Sequence, residues 1–451
     1  TYAKATDNVN PNYWFIQPSG ATLSDFNFLL VDSATDEIYV SSNDTGLYSY
    51  FTSLSGLSNP TIKYLSAVST GSGSALNLGM QFIKNSSTEI KLVGTQTAPA
   101  PQFPNPNTGY GTVASIDPVT GTSDPFSETM FIHTDFGSDV FDRLEFRQIA
   151  KDNAQYWYAY RQTDNGGTTW LIGINLNNNY IVNFEVEVNA MTGGLKLDSN
   201  GNPIILYNTG ITGAVTTAGI VLQKIDKTPT GTTPALTDLW TLRLEDTSLY
   251  PTDLQLDSTD NSYYTFYDNS AGIGYLVKVN TSGTLQWQRA VSSTRLFGVV
   301  LKSDTEIYVI GVTSTNKLWV AEFNDSGTVQ WQNEMIGSSS FENVGTNYDK
   351  SIAKIDYYDD NLYLGANGGY ISGQWSVSKV PADGTIVGNG EYVFPDGSII
   401  TYQTSSQTVS TSTLTSATTR FIGGRSPQND PSWSQNETLT TPAKAIAFPL
   451  E

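Results

Sequence analysis

Apolar residues along this chain come in short runs, broken by Asn, Asp, Gly, Ser and Thr. Examples are Glu37-Ile-Tyr-Val-Ser41, Tyr156-Trp-Tyr-Ala-Tyr160, Pro203-Ile-Ile-Leu-Tyr207, Tyr263-Tyr-Thr-Phe-Tyr267 and Glu306-Ile-Tyr-Val-Ile310. Each is rich in β-branched and aromatic side chains, which pack well on a pleated surface. No long apolar stripe of period 3.6 with caps at both ends occurs, so helices are not predicted. The pattern predicts an all-β protein.

The strands recur as a larger unit. Gly274-Tyr-Leu-Val-Lys-Val-Asn-Thr-Ser-Gly-Thr-Leu-Gln-Trp-Gln288 is echoed by Lys317-Leu-Trp-Val-Ala-Glu-Phe-Asn-Asp-Ser-Gly-Thr-Val-Gln-Trp-Gln332. Gly283 maps onto Gly327 and Trp287 onto Trp331, both 44 residues apart, and the same offset sets Tyr264 against Tyr308. A third copy closes at Gly384, and a degenerate one at Trp240. Within a unit, the Asn/Asp-Ser-Gly turn supplies the positive φ of a tight hairpin. Four antiparallel strands in about 40–50 residues is the size of one β-propeller blade. Tryptophans on the outermost strand would pack between blades. Second-strand signals centre on Tyr39, Lys91, Trp157, Ile205, Tyr264, Tyr308 and Tyr363, which predicts seven four-stranded blades. Six or eight blades, or a β-sandwich or two small β-domains, are the alternatives.

The ends depart from the unit. Residues 1–24 are predicted as an N-terminal arm or a ring-closing strand, residues 25–390 as the propeller, and residues 391–451 as a Ser/Thr-rich C-terminal extension. Twelve of the 17 residues from Gln403 to Thr419 are Ser or Thr, with no charge, Pro or Gly. That composition reads equally as a linker and as an extended segment that adds to a sheet edge. The chain starts at Thr1 with no basic and apolar leader, which reads as a processed or trimmed start or as a fragment of a longer chain.

Composition narrows the chemistry. The 451 residues carry a formal charge of −20, no cysteine and one histidine. Thiol chemistry, disulfides and His-rich metal sites are therefore excluded. Repulsion from phosphate makes nucleic acid an unsuitable partner, and no apolar run is long enough for membrane insertion. No catalytic residue and no cofactor are predicted, although a structural Ca²⁺ or Mg²⁺ is compatible with so acidic a chain. Asp198-Ser-Asn-Gly-Asn202 has a faint calcium-loop look, but its Gly falls early and no bidentate Glu follows, so an Asx turn is the simpler reading. His133 has Asp135 nearby but no nucleophile to complete a catalytic set.

Thr163, Asn165, Gly167, Thr169 and Trp170 fit the Asp-box pattern Ser/Thr-x-Asp-x-Gly-x-Thr-Trp, with Asn165 in the Asp position. In sialidase-like propellers that box is a structural hairpin away from the active site. Exposed aromatics are a separate matter, because their faces stack on sugars. Tyr156, Tyr357, Tyr358 and Tyr370 are the candidate glycan contacts, against the plainer reading of blade-core packing.

The repeat resembles that of bacterial and phage β-propellers, and most the propeller-bearing virion proteins of marine phages, including cyanophages. In those proteins such repeats precede a Lys-x-Pro-x-Asp-Gly stretch, here Lys379-Val-Pro-Ala-Asp-Gly384, and then a Ser/Thr-rich run. The similarity covers roughly residues 250–420. It implies a structural or adhesive particle protein of the tail, fibre or capsid surface. Its expected partners are other virion proteins, copies of itself in a homo-oligomer or multi-copy assembly, and a cell-surface glycan; its expected location is the virion or the extracellular space. A propeller enzyme acting on carbohydrate and a bacterial surface adhesion or filament protein are the alternatives.

Overall fold

The computed structural model describes residues 2–18, 25–43, 49–68, 76–97, 109–122, 129–133, 144–152, 155–162, 168–175, 181–188, 192–209, 218–230, 235–246, 248–341, 353–412, 414–417 and 433–435. Among them every regular element is a strand. Strands follow one another as four-stranded antiparallel meanders. Unit 1 is Asp25–Asp32, Glu37–Asn43, Ser49–Ser55 and Thr61–Val68; unit 2 is Leu76–Ser86, Glu89–Thr97, Gly109–Ile116 and Thr129–His133. Unit 3 is Leu144–Lys151, Gln155–Gln162, Thr168–Asn175 and Ile181–Val188; unit 4 is Thr192–Leu197, Pro203–Thr209, Gly219–Thr230 and Ala235–Glu245. Unit 5 is Leu249–Leu256, Ser262–Asp268, Ile273–Val279 and Leu285–Val291; unit 6 is Thr294–Ser303, Glu306–Thr313, Leu318–Asn324 and Val329–Ile336. Unit 7 takes Ala353–Tyr358, Asn361–Asn367 and Trp375–Pro381 from its own stretch and its fourth strand, Trp14–Pro18, from the start of the chain.

The hairpins form where short polar side chains cap the turn. Asn280 Oδ1 accepts the amides of Ser282 (3.1 Å) and Thr284 (2.8 Å), and Asn324 Oδ1 those of Ser326 (3.1 Å) and Thr328 (2.9 Å). The glycines that follow, Gly283 and Gly327, have φ of 81° and 73°, where a Cβ would be strained. Strand register corrects one expectation. Lys278 and Glu322 are equivalent in the 44-residue repeat, yet Lys278 faces Tyr263 and Glu322 faces Tyr308. Tyr263, not Tyr264, therefore occupies the place of Tyr308. The stretch from the second strand to the third is one residue longer in unit 5, from Tyr263 to Lys278, than in unit 6, from Tyr308 to Glu322, and a one-residue slip moves a side chain to the opposite face.

First strands of consecutive units lie against each other in chain order, and that of unit 7 lies against that of unit 1. Six of these strands break register near their start, around Asn27, Met80, Arg147, Gly193, Thr252 and Phe297. Such bulges bend a strand and re-aim its side chains. A first strand also exposes edge amides, and a side chain from the neighbouring unit caps some of them. Gln81 Oε1 accepts Ile149 N at 2.9 Å, Asp253 Oδ2 accepts Val299 N at 3.2 Å, and Asp356 Oδ2 accepts Val31 N at 2.8 Å.

Apolar seams fill the space between units. Tyr39, Phe51, Phe82 and Leu92 join units 1 and 2; Leu206, Leu222, Tyr264 and Val277 join units 4 and 5. Tyr263, Val309 and Trp319 join units 5 and 6, Tyr308, Ile355 and Leu364 join units 6 and 7, and Trp14, Phe26 and Tyr363 join units 7 and 1. Each such large side chain contributes roughly 1.5–3 kcal/mol when fully buried. Between units 4 and 7 the outer seam follows a rule. The ring of Trp240 covers Gly283, that of Trp287 covers Gly327, and that of Trp331 covers Gly384, each reaching the turn of the next unit. The Trp240 indole donates to Thr281 O (3.0 Å) and Trp287 to Asp325 O (2.7 Å), whereas Trp331 turns to Glu322 Oε2 (2.7 Å) in its own unit.

The described strands before unit 1 and after unit 7 lie on sheet edges. Tyr2–Asp7 pairs with Trp14–Pro18 and with Glu391–Val393. Beyond it, Ile399–Thr404 adds to the fourth strand of unit 6, Val409–Thr411 to that of unit 5, Ser416–Ala417 to that of unit 4 and Trp433–Gln435 to that of unit 2. The Ser/Thr run is thus extended and paired where it is described.

Candidate functional site

First strands bring four charged side chains together where the units converge: Lys196 of unit 4, Asp253 of unit 5, and Lys354 and Asp356 of unit 7. Lys354 Nζ reaches past unit 6 to Asp253 Oδ2 (3.3 Å) and to Thr252 O (3.0 Å). Asp253 Oδ1 also accepts its neighbour's amide, Leu254 N, at 3.0 Å. Asp356 Oδ1 accepts Tyr357 N at 2.8 Å, while Oδ2 holds Val31 N. Every oxygen of the two carboxylates is therefore occupied by a backbone amide or by Lys354.

Electrostatics follow from burial. Burial pushes the Asp356 carboxyl up to about 6, against the amides of Val31 and Tyr357 that favour its charged form. Burial pulls the Lys196 ammonium down, against the attraction of Asp253. A general acid or base needs a lone pair or proton free to meet a substrate, and the donors on Asp253 and Asp356 take up part of the lone-pair sites of each carboxylate. Two acids and two bases balance one another in formal charge across the cluster. Composition does not reveal this cluster; the signal is alternation, in Leu195-Lys196-Leu197 and Ala353-Lys354-Ile355-Asp356, where charges interleave with apolar positions, of which Leu195, Ala353 and Ile355 are buried.

A second network staples the turns at one end of the sheets. Ser199 donates from N (2.9 Å) and Oγ (2.6 Å) to the Asp260 carboxylate, and Ser258 N donates to Asp304 Oδ1 at 2.9 Å. Lys302 continues the series to Asp360 at 3.2 Å. In Asp198-Ser-Asn-Gly-Asn202, Asp198 Oδ1 accepts the amides of Asn200 and Asn202, and Oδ2 meets Lys224 Nζ at 2.6 Å. Burial acts to raise the Asp198 carboxyl, but Lys224 and Asn202 hold it below the usual carboxylate range. The loop is an Asx turn neutralised by lysine. Among the described residues no group of three or more metal-ligating side chains comes together.

The aromatic candidates of unit 7 divide between its two ends. Tyr357 is stacked on Tyr308 (5.8 Å between centroids, 13°) and its hydroxyl donates to Asp360 at 3.0 Å. Tyr358, next to the Asp359-Asp360 turn, is 37% exposed. Tyr370 lies in the connection at the opposite end of the same sheet, stacked on Phe394 (3.9 Å, 19°) with its hydroxyl on Asp396 (2.6 Å). The backbone of Tyr156 pairs with Ile174 in unit 3. Thr163, Asn165 and Gly167 lie outside the described residues, while Thr169 and Trp170 pair with Arg161 and Tyr160. His133 pairs with Trp433 at the edge of unit 2.

No family model matches the chain. No curated protein matches it either. Solved structures do. The extracellular domain of a hybrid two component system from B. thetaiotaomicron aligns with a TM-score of 0.43 at 14% identity, covering 87% of this chain and 44% of that one. YCF48 bound to D1 peptide aligns at 0.39 and 12% identity, covering 84% and 97%. The periplasmic gluconolactonase of Pseudomonas aeruginosa aligns at 0.38 and 11% identity, covering 84% and 98%. All three scores lie below 0.5, so the fold description stands on the strand pairing.

Proposed function

We propose that this chain is a closed seven-bladed β-propeller that serves as a structural and adhesive module, without catalytic activity, in a multi-copy assembly. The consecutive contacts of the first strands, and the fourth strand that unit 7 borrows from Trp14–Pro18, support ring closure. The observation that carries the non-catalytic reading is the commitment of Asp253 and Asp356, whose oxygens all face backbone amides or Lys354. The repeat's resemblance to virion propellers makes a phage particle the assembly of choice, with other virion proteins as neighbours. A surface glycan would stack on Tyr358 rather than on Tyr357 or Tyr370, whose rings already lie on Tyr308 and Phe394.

The test combines two measurements on the purified chain. Light scattering and electron microscopy should give discrete multimers of a disc with seven lobes. Monomers at every concentration would overturn the multi-copy reading. A panel of glycosides should show no turnover; turnover abolished by D253N or D356N would overturn the non-catalytic reading.

A further inference from the structure

The C-terminal segment is read by the sheet edges with a fixed step. Gln403 faces Glu334, Ser410 faces Ala290 and Ala417 faces Arg243. Those partners stand three residues after Trp331, Trp287 and Trp240, so the segment advances seven residues per unit. At an extended rise of ~3.3 Å per residue, seven residues span ~23 Å, a stride suited to passing from one outer edge to the next. The same step recurs in its hydrogen bonds. Ser405 N donates to Gln332 O and Ser412 N to Gln288 O; Gln332 Nε2 donates to Gln407 O at 3.0 Å and Gln288 Nε2 to Leu414 O at 2.9 Å. This gives a role to the second glutamine of each Gln-Trp-Gln: the tryptophan seals the seam, and the glutamine holds a carbonyl of the passing strand.

Anchoring is uneven along the segment. Ile400 and Tyr402 are buried in the seam between units 6 and 7, but from Ser405 on the pairings shorten to three residues and then two. Strands this short are marginal alone and open locally. The run from Gln403 to Thr419 is also uncharged, so it can approach an acidic neighbour without repulsion. An identical copy offers identical edges, so exchange conserves every bond at little cost.

We propose that the outer edges of units 5 and 4 are strand-acceptor surfaces, and that their occupants in the assembled state are Val409–Thr411 and Ser416–Ala417 of a second copy, in the same seven-residue register. This rests on the multi-copy reading above and names its contact.

The absence of cysteine makes the test clean. Two tagged forms of the full chain, Ala290→Cys and Ser410→Cys, are co-expressed and oxidised. A disulfide-linked heterodimer is expected, and Ala290→Cys with Ser406→Cys, which lies off register, should give at least tenfold less. A double variant carrying both A290C and S410C in one chain reports the register itself. Linkage only within that chain, with no heterodimer, would overturn exchange; no linkage of either kind would overturn the register as well. Light scattering of the wild type separates the two proposals: multimers without heterodimer linkage refute exchange alone, and monomers refute both.

Discussion

Gly384→Ala tests the tryptophan-on-glycine seam. Gly384 has φ of +74°, and a Cβ there would stand 2.4 Å from Cδ2 of Trp331. Gly272 has φ of +64°, and a Cβ added there would meet nothing within 4 Å, so Gly272→Ala isolates the backbone cost. That cost is roughly 1–2 kcal/mol for an L-residue in the left-handed region. Overpacking adds about 1–3 kcal/mol, so Gly384→Ala should lose ~2–5 kcal/mol in all. Urea unfolding followed by near-ultraviolet circular dichroism gives both values, and tryptophan emission reports the displaced ring. In a Trp331→Leu background the ring clash is gone, and Gly384→Ala should then cost no more than Gly272→Ala. Equal losses for the two glycine variants in the wild-type background would refute the idea that the seam is built on ring-to-glycine contact.

Three further outcomes follow from the charged cluster and the edges. Asp356 is raised from 3.8 to about 6, so its proton is bound more tightly in the folded chain. Its contribution is full below pH ~4 and is lost as pH rises through ~6, by up to ~3 kcal/mol from two pKa units at ~1.4 kcal/mol each. The difference in urea midpoint between pH 4.5 and 7.5 should shrink in Asp356→Asn, and an unchanged difference would place the titration elsewhere. Lys354→Met removes the cation in direct contact with Asp253; removing one partner of a buried pair costs about 3–5 kcal/mol, and a midpoint within ~1 kcal/mol of wild type would mean the pair is solvent-screened. Gln288→Ala should cost only ~1 kcal/mol globally yet speed hydrogen exchange at Ser412 and Thr415, whereas unchanged exchange there would remove its clamping role.

Alternation and turn chemistry fixed what was local. Tyr39, Lys91, Trp157, Ile205, Tyr264, Tyr308 and Tyr363 each fall in the second strand of a four-stranded unit. Trp240, Trp287 and Trp331 meet Gly283, Gly327 and Gly384 because a bulky ring on the outer strand of one unit reaches a Cβ-less turn after the third strand of the next, although the intervening length varies from one unit to the next. The slip between Tyr264 and Tyr263 lay beyond this reach, since linear spacing does not reveal how many residues a turn consumes before pairing resumes. Grouping of Lys196, Asp253, Lys354 and Asp356 was invisible for another reason: they stand on strands far apart in sequence, and only convergence of the first strands sets Lys354 against Asp253. The Ser/Thr run shows the division most sharply. Its composition leaves linker and strand equally open, because threonine favours strands while serine favours turns. Edges presented by units 6, 5 and 4 decide between them, since an unpaired row of amides and carbonyls stabilises any uncharged segment that arrives in register.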